Sequence, residues 1–369
     1  MHVITGLGNG GAEAVLYRLC MFDHSHLHII VSLSGDGKYG PLLREAGIPV
    51  YCLNLSKNFM SIFGLIRLIR LLVLERPDIV QTWLYHADLI GGVVAKITGV
   101  NKILWGVRHG NLSPGTMKLS TIRVAKVCAL LSNLIPTKII SCSKRAINAH
   151  VDIGYKKEKF IDIPNGYDLK DLSIDSHGGD LFIDSVGLAL KGPVIGMVAR
   201  FDTQKDYRNL LKALSNLKHS GYKFNCLLAG RGMTTDNQVL MGWIVEDSLE
   251  DSIFLLGECR NICGLMNAID IHVLSSLGEG FPNVVAEAMA CGTPCVVTDV
   301  GDSSFIVGDT GWVVPPNSPK ELAIGIRGAL DALQSEGWAD RRIAARARIA
   351  DNFDINKMVA KYNQAWKEF

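Results

Sequence analysis

The apolar positions in the first half of the chain form short runs separated by longer segments with helical spacing. A short apolar run predicts a strand, and apolar residues that recur every third or fourth position predict a helix. Strands separated by helices predict βαβ units and a parallel sheet. The predicted strands lie at residues 2–5, 27–33, 77–82, 102–107, 138–142 and 160–163, with another entered at Val50, and the predicted helices at 12–22, 59–76, 87–99 and 117–134.

The alternation stops after residue 168 and begins again at Val194. Residues 169–192 contain Asp, Ser and Gly without clear periodicity, so we expect a linker there. An N-terminal domain is therefore predicted over residues 1–168 and a C-terminal domain over residues 193–351. In the second domain, predicted strands lie at 194–198, 224–229, 253–256, 270–274 and 295–298, and predicted helices at 207–219, 235–247, 261–268, 283–291 and 319–333.

The last predicted element is an amphipathic helix over residues 352–369, with one apolar and aromatic side. The residues on this side are Phe353, Ile355, Met358, Val359, Tyr362 and Trp366. A helix with so many large apolar side chains must pack against a domain. The pattern itself favours the adjacent second domain and leaves a return to the first domain open.

Composition agrees with a folded protein of two or three domains, because 369 residues exceed the size of one small domain. The net charge of +2 gives no general reason to expect a nucleic-acid partner. The odd number of cysteines, nine, and the absence of a signal-peptide pattern favour reduced thiols in a cytoplasmic protein. No apolar run is long enough for a transmembrane helix, but the mean hydropathy of +0.20 keeps membrane-surface contact open.

A glycine-rich loop joins the first predicted strand to the first predicted helix. It contains Gly6, Gly8, Gly10 and Gly11, which formally match the dinucleotide-binding fingerprint G-x-G-x-x-G. Free N–H groups at a helix start suit a phosphate. Asp36 then becomes a candidate ribose ligand of a nicotinamide dehydrogenase, and a tight turn without a ligand is the simpler alternative.

Two glutamates, Glu279 and Glu287, bracket seven residues in the second domain. Pro282 suits the first position of a helix and Gly292 the position just past its end. Both carboxylates can then face the carboxyl ends of the strands, where open α/β sheets bind ligands, and accept hydrogen bonds from sugar hydroxyls. The alternative is a pair of solvated surface glutamates.

Two cations, Arg200 and Lys205, follow the predicted strand that begins at Val194. Cations at a strand end can hold a diphosphate and stabilise its charge as it leaves. The alternative is that they form surface salt bridges with Asp202 or Asp206.

Histidines and cysteines are common metal ligands, but their spacing in this sequence does not predict a metal site. His24, His26 and His28 alternate, as on one face of a strand edge in solvent. Cys259 and Cys263, like Cys291 and Cys295, are spaced four residues apart, which is wider than a zinc knuckle.

Together these motifs resemble the family-4 retaining glycosyltransferases of the bacterial polysaccharide type. The resemblance extends over nearly the whole chain. Its elements are the Gly10–Glu13 segment, His109, Asn165-Gly166, Arg200 with Lys205, Gly230-Arg-Gly232, Ser275-Ser276, the paired glutamates and the segment 288–294. It implies the GT-B fold, an α/β architecture of two Rossmann-like domains facing a central cleft, and a terminal helix that returns to the first domain.

The resemblance also implies the site residues. Glu287 would bind the donor ribose and Glu279 the transferred sugar, while Arg200 and Lys205 would clamp the diphosphate. The implied catalytic set is His109, Arg200, Lys205 and Glu279, and the implied donor-binding set is Gly10, Gly11, Gly230, Phe281, Pro282, Asn283, Val284 and Glu287. The implied reaction is retaining transfer from a nucleoside-diphosphate sugar, with UDP favoured over GDP, without a metal, another cofactor or a carboxylate nucleophile.

The expected acceptor is a glycan or a lipid-linked molecule of surface polysaccharide assembly. The basic amphipathic helices predicted at 59–76 and 117–134 carry Arg67, Arg70, Arg123 and Lys126 beside apolar residues. Such helices can rest on an anionic membrane, here the cytoplasmic face of the inner membrane, although packing on the sheet also explains their apolar side.

Four other functions remain open at this point. A sugar-nucleotide epimerase or a phosphorylase could share the two-domain plan. A nicotinamide-dependent dehydrogenase would use the Gly6–Gly11 loop but leaves the glutamates unexplained. A silent sugar-nucleotide-binding partner would retain the site without turnover.

Overall fold

The computed structural model describes residues 1–55, 62–110, 112 and 117–368, which form two compact units. The first unit comprises Met1–Gly166 together with Ile355–Phe369, and the second comprises Tyr167–Asp354. Each unit contains one sheet whose strands pair in parallel. A parallel sheet needs crossover helices on its faces, and this explains the strand–helix alternation along the chain.

The first unit has a seven-stranded sheet with the order β3-β2-β1-β4-β5-β6-β7. The strands are β1 (His2–Ile4), β2 (Ile30–Ser32), β3 (Val50–Cys52), β4 (Ile79–Trp83), β5 (Lys102–Val107), β6 (Lys138–Ser141) and β7 (Phe160–Asp162). The helices are α1 (Gly11–Phe22), α2 (Tyr39–Glu45), α3 (Ile62–Glu75), α4 (Tyr85–Ile97), α5 (Leu119–Leu131) and α6 (Lys144–Asp152). The strand order reverses between β1 and β4, as in a Rossmann fold.

The second unit has a six-stranded sheet with the order β10-β9-β8-β11-β12-β13. The strands are β8 (Val194–Val198), β9 (Asn225–Ala229), β10 (Ile253–Gly257), β11 (Ile271–Leu274), β12 (Cys295–Thr298) and β13 (Trp312–Val314). The helices are α7 (Ser176–Ser185), α8 (Tyr207–His219), α9 (Gln238–Glu246), α10 (Ile262–Ala268), α11 (Asn283–Ala290), α12 (Ser303–Val307), α13 (Pro319–Leu333) and α14 (Trp338–Phe353). Here the order reverses between β8 and β11.

The predicted linker over residues 169–192 is not a plain linker, because it contains helix α7. The Asp175 side chain accepts the Gly178 N–H at 2.9 Å and so caps the start of this helix. Phe182 is buried, and the helix packs against α10 within the second unit. A single buried aromatic residue and one cap are too little periodicity to reveal such a helix in the sequence.

The predicted helix over residues 352–369 begins too early. Phe353 ends α14, and its ring packs edge-on against Phe281 and Phe305 in the second unit. Asp354 is extended, with φ of −63° and ψ of 142°, and a new helix, α15 (Ile355–Lys367), follows it. The buried side of α15 packs in the first unit, against α1 and the sheet.

Four further elements were not predicted from the sequence. They are the helices α6, α12 and α14 and the strand β13. The first residues of the helix predicted at 59–76 lie outside the described part of the chain, and the described helix α3 begins at Ile62.

Candidate active site

Two loops at the carboxyl edge of the second sheet carry the predicted diphosphate and sugar ligands. One loop follows β8 and contains Arg200 and Lys205, and the other follows β11 and contains Glu279. Because β8 and β11 are neighbours at the point where the strand order reverses, their loops border the crevice in which open α/β sheets bind ligands.

Lys205 and Glu279 form an ion pair across these two loops. The Lys205 Nζ donates to Glu279 Oε1 at 2.5 Å, and the side chains are only 17% and 12% exposed. Ser276 Oγ donates to the same carboxylate oxygen at 2.7 Å. The structure thus brings together two of the predicted catalytic residues, and it shields their charges from most of the solvent.

Main-chain contacts fix the separation of the two loops. Ser275 Oγ donates to the Lys205 carbonyl at 2.7 Å, and the Leu277 N–H donates to the Gln204 carbonyl at 2.7 Å. Asp206, with φ of +49°, turns the chain into α8, and its carboxylate caps that helix. These contacts hold Lys205 opposite Glu279.

Arg200 does not join this pair, because its Nε donates to Asp202 Oδ2 at 3.1 Å. This is one of the surface salt bridges that the sequence left open, and the Arg200 side chain is 50% exposed. Burial raises the pKa of Asp202, but the Gln204 N–H and the Arg200 guanidinium outweigh burial and lower it. Arg200 therefore lies at the same strand end as Lys205 with a different partner.

The segment after Glu279 leads into α11, which begins at Asn283 with Pro282 as its N-cap residue. Pro282 is therefore the N-cap residue and not, as predicted, the first residue of the helix. Phe281 is buried, and its ring packs edge-on against Phe353. Asn283 accepts a hydrogen bond from the Tyr167 hydroxyl at 2.6 Å, and Val284 follows on the first turn.

Glu287 lies on the second turn of α11, as the spacing predicted. Its carbonyl accepts the Cys291 N–H at 3.2 Å near the helix end. Gly292 follows with φ of +73°, which confirms its predicted position just past the helix.

Two glycines bring backbone segments together around this edge. Gly230 follows β9 with φ of +136°, and a side chain there would collide with the Ala199 carbonyl. Gly301 has φ of +54°, and a Cβ on it would lie 2.5 Å from the Gly280 carbonyl oxygen. The sequence analysis missed the role of Gly301, because no local pattern shows that it supports the Glu279 loop from β12.

In the first unit, Gly10 is the N-cap residue of α1 and Gly11 its first residue. A side chain on Gly10 would collide with the Glu13 carboxylate, which lies over this end of the helix. The predicted glycine-rich loop therefore lies at a helix start, with an acidic side chain beside it.

Asp36, the candidate ribose ligand of a dehydrogenase, instead pairs with Arg44. Both of its carboxylate oxygens accept hydrogen bonds from Arg44, at 2.7 and 2.8 Å. The Arg44 and Cys52 hydrogen bonds lower the pKa of Asp36, so the carboxylate stays charged. A ribose would have to displace this bidentate pair.

His109 follows β5 at the carboxyl edge of the first sheet. It is exposed, and its ring stacks on Tyr85 with 5.6 Å between centroids. The preceding residue, Arg108, donates to Asn165 Oδ1 at 2.8 Å and to the Tyr362 hydroxyl at 2.5 Å, and its guanidinium lies over Trp83. The sequence analysis missed Arg108, which ties the His109 loop to α15.

One cluster of metal-ligand types occurs among the described residues, formed by His2, Cys20 and His28, whose ligand atoms lie within 4.8 Å of one another. His2 Nδ1 accepts the Trp83 indole N–H at 3.2 Å, and His2 Nε2 lies 3.0 Å from His28 Nδ1. The alternating histidines do not share a strand face, because β2 begins only at Ile30. In the described part of the chain, no helix has the length and apolarity needed to cross a membrane.

Comparisons with known proteins address the family of this chain. The family described as "Glycosyltransferase Family 4" matches residues 9–171, and the one described as "Glycosyl transferases group 1" matches residues 192–332. The putative glycosyltransferase EpsF of Bacillus subtilis is 26% identical, over 81% of this chain and 78% of its own length. An Escherichia coli protein named UDP-Gal:alpha-D-GlcNAc-diphosphoundecaprenol alpha-1,3-galactosyltransferase is 27% identical, over 72% of this chain and 68% of its own length.

Solved structures agree on the fold. HepE of Anabaena in complex with UDP has a TM-score of 0.86 at 21% identity, with 100% of this chain and 99% of that chain covered. The comparisons do not favour an epimerase or a dehydrogenase. The GT-B fold with two Rossmann-like domains, expected from the sequence, is confirmed. The chain is a glycosyltransferase, with a Glycosyltransferase Family 4 domain and a Glycosyl transferases group 1 domain.

Proposed function

We propose that this glycosyltransferase is a retaining hexosyltransferase that uses a nucleoside-diphosphate sugar, with UDP as the nucleotide, and needs no metal. The observation that carries the proposal is the shielded Lys205–Glu279 pair at the reversal point of the second sheet. A cation and a carboxylate side by side suit a donor that presents a diphosphate next to sugar hydroxyls. The HepE structures with UDP and with UDP-glucose support the choice of nucleotide.

Lys205 can serve the diphosphate without leaving Glu279. An ammonium group has three N–H donors, and the Glu279 contact uses one of them. The other two can donate to phosphate oxygens and stabilise the charge that develops on the leaving group. Arg200, half-exposed at the same strand end, can turn from Asp202 to add a second cation, so the protein itself supplies positive charge.

Glu279 can orient the transferred sugar at the same time. Within the described residues, its contacts with Lys205 and Ser276 both fall on Oε1. Oε2 can therefore accept a hydrogen bond from a sugar hydroxyl. The backbone from Phe281 to Val284, at the start of α11, lies next along the chain to contact the same sugar.

The nucleoside part of the donor is assigned to two further features. Glu287, on the second turn of α11, would accept hydrogen bonds from the ribose hydroxyls. Gly230, whose backbone presses against the strand end of β8, leaves room for a nucleotide to approach. In the first unit, the backbone of Gly10 and Gly11 would contribute N–H donors to the diphosphate.

In a retaining transfer without a carboxylate nucleophile, the acceptor hydroxyl itself attacks the sugar, and a base must remove its proton. We assign this role to an oxygen of the departing diphosphate, which gains negative charge as the glycosidic bond breaks. His109 is assigned to a contact with the sugar from the acceptor side, and its stacking on Tyr85 orients its ring.

The acceptor is proposed to be a glycan or a lipid-linked sugar of bacterial surface polysaccharide assembly, in the cytoplasm. Two relatives are named for diphosphoundecaprenol acceptors, and another is named for capsular polysaccharide biosynthesis. No nucleic-acid partner is proposed.

We also propose that the first unit contacts the inner membrane peripherally, and its exposed apolar residues support this. Helices α3, α4 and α5 pack side by side on one face of the sheet. Their outer surface exposes Phe63 by 82%, Leu74 by 77% and Leu130 by 80%. Arg67, Arg70, Arg76, Lys118, Arg123 and Lys126 are exposed on or beside these helices. Apolar side chains among cations suit an anionic lipid surface.

Product analysis tests the proposed activity. The purified chain is incubated with UDP-hexoses and an undecaprenyl-diphosphate-linked sugar, in EDTA, and the product linkage is determined by NMR. We expect transfer in EDTA with the anomeric configuration of the donor retained. Inversion of that configuration, or transfer that returns only when a divalent cation is added, would contradict the corresponding part of the proposal.

Co-sedimentation with vesicles tests the membrane contact. We expect binding to vesicles rich in anionic lipid, weakened by salt, and further reduced in the double variant Phe63→Asp, Leu74→Asp. Leu181→Asp is the matched control, because Leu181 is 54% exposed but belongs to the second unit. Equal binding by the double variant and the wild type would contradict the assignment to α3.

A further inference from the structure

Two cysteines meet where α10 packs against α11. The Sγ atoms of Cys263, on α10, and Cys291, at the end of α11, lie 3.9 Å apart. Cys291 is fully buried, whereas Cys263 keeps part of its surface exposed. Rotation of the two side chains would have to bring these atoms to about 2 Å, the length of a disulfide bond.

The backbone around Cys263 is held in place. The Asn267 side-chain amide donates to the Cys263 carbonyl at 3.0 Å and to the Ser173 carbonyl at 2.9 Å, and it also contacts the Cys263 sulfur at 3.5 Å. These contacts join α10 to the segment before α7. Cys263 therefore lies in a backbone segment whose position is held by hydrogen bonds.

The neighbouring cysteines make different contacts. Cys259 lies before α10, and its sulfur contacts the Asn261 carbonyl at 3.4 Å. Cys295 lies at the start of β12, and its sulfur contacts the carbonyls of Val285 and Thr293. Each serves as a comparison for the Cys263–Cys291 pair.

We propose that Cys263 and Cys291 form a reversible disulfide when the protein meets a small-molecule disulfide such as oxidised glutathione. The Cys263 thiolate attacks one sulfur of that oxidant, the oxidant's S–S bond breaks, and one glutathione leaves as a thiol. The Cys291 thiolate then attacks the Cys263 sulfur and releases the second glutathione. Two protein thiols are oxidised, one disulfide is reduced to two thiols, and the thiol protons leave with the two glutathiones.

Exposure sets the order of the two steps. Of the two cysteines, Cys263 keeps part of its surface exposed and Cys291 is buried, so we expect the oxidant to react first with Cys263. Burial raises the pKa of Cys291, which the nearby Arg346 only partly offsets, so this thiol attacks only once the mixed disulfide lies beside it. The resulting bond closes a loop of the chain and ties the end of α11, the helix that carries Glu287, to α10.

Mass analysis after oxidation tests the inference independently of the proposed function. The intact protein is treated with oxidised glutathione, the remaining thiols are alkylated, and the protein is digested without reduction. We expect a crosslinked peptide pair containing Cys263 and Cys291 in the wild type and in Cys259→Ser. We expect none in Cys263→Ser, and dithiothreitol should remove the crosslink.

A second variant traps the intermediate. Cys291→Ala lacks the second thiol, so we expect Cys263 to remain as a stable mixed disulfide with glutathione. In thermal unfolding, the oxidised wild type should melt at a higher temperature than the reduced protein, and Cys263→Ser should melt alike in both states. A wild type in which glutathione stays on Cys263, or in which Cys263 pairs with Cys259, would overturn the inference.

Discussion

The Lys205–Glu279 contact joins residues 74 positions apart in the sequence. A single lysine or glutamate in a sequence indicates no more than a charged residue at the surface. These two residues are neighbours only because of the order of the strands in the sheet. The sequence singled out both, because each follows a predicted strand and matches a family motif. It did not predict their ion pair, since the neighbourhood of β8 and β11 is a property of the folded sheet.

Glu279→Gln tests the charge of this carboxylate. We expect transfer to fall at least tenfold, about 1.4 kcal/mol in transition-state free energy, because the amide no longer holds Lys205 and the sugar with a negative charge. The measurement is kcat/KM with a UDP-sugar, together with the melting temperature. Lys205→Ala should show a loss of similar size.

Glu246→Gln is the matched control. Glu246 also pairs with a cation, Arg208, at 2.5 Å, but its side chain is 62% exposed on α9. An exposed pair contributes little, so we expect wild-type turnover. If Glu279→Gln retained turnover equal to that of Glu246→Gln, Glu279 would lose its place in the site.

Gly301→Ala tests the support of the Glu279 loop. The alanine would combine a φ of +54° with a Cβ 2.5 Å from the Gly280 oxygen, so the loop must move. We expect a loss of unfolding free energy of at least about 1 kcal/mol, together with lower turnover. Gly242→Ala is the control, because Gly242 lies within α9 with open space around it and alanine favours helix there. Equal stability of the two variants in urea unfolding would contradict this account.

Among the elements, those with a clear pattern of buried positions were predictable, and those that are very short or have few buried residues were not. Strands β5 and β12 and helix α8 have the predicted bounds, because buried faces impose a clear pattern on them. Helix α12 has five residues and β13 has three, too few to show a period. Helix α14 was missed although it has sixteen residues, because only Ala345, Ile349 and Phe353 are buried along it.

Strand β11 contains a histidine that affects the pH dependence of stability. His272 is fully buried, and no described residue bonds to either of its ring nitrogens. Burial, followed by the charge of Lys205, lowers its pKa to about 3, and burial lowers the pKa of His150 to about 4. In the unfolded chain the pKa of a histidine is about 6.5. Below that pH the unfolded state therefore binds more protons than the folded state.

The free energy of unfolding should therefore fall as the pH drops from about 6.5 toward 4. In His272→Leu, we expect the number of protons that the chain takes up on unfolding to fall by about one, which reduces this slope. We expect the free energy of unfolding at pH 7 to be unchanged or higher, because the substitution removes an unpaired polar group. Urea unfolding at pH 7 and pH 5 measures both effects. His24→Gln is the control at an exposed site. An identical loss of stability on acidification in His272→Leu and the wild type would contradict the role of His272.

At the scale of the molecule, the two-domain plan was readable because a strand–helix alternation occurs twice in the sequence. The boundaries were harder to predict. The N-terminal segment of the first unit ends at Gly166, and the residues of the expected linker belong to the second unit. The return of α15 to the first unit rests on tertiary contacts, such as that of Tyr362 with Arg108, which no periodicity in the helix reveals.

The proposed function requires that the chain bind a nucleoside diphosphate through Lys205 and the α11 segment without a metal. Thermal unfolding in EDTA, with UDP, GDP, ADP or NAD added in turn, measures this binding, because a ligand that binds the folded state raises the melting temperature. We predict a clear rise with UDP that is smaller in Lys205→Ala. A rise with NAD alone, or an equal rise with UDP in Lys205→Ala and the wild type, would rule out this binding mode.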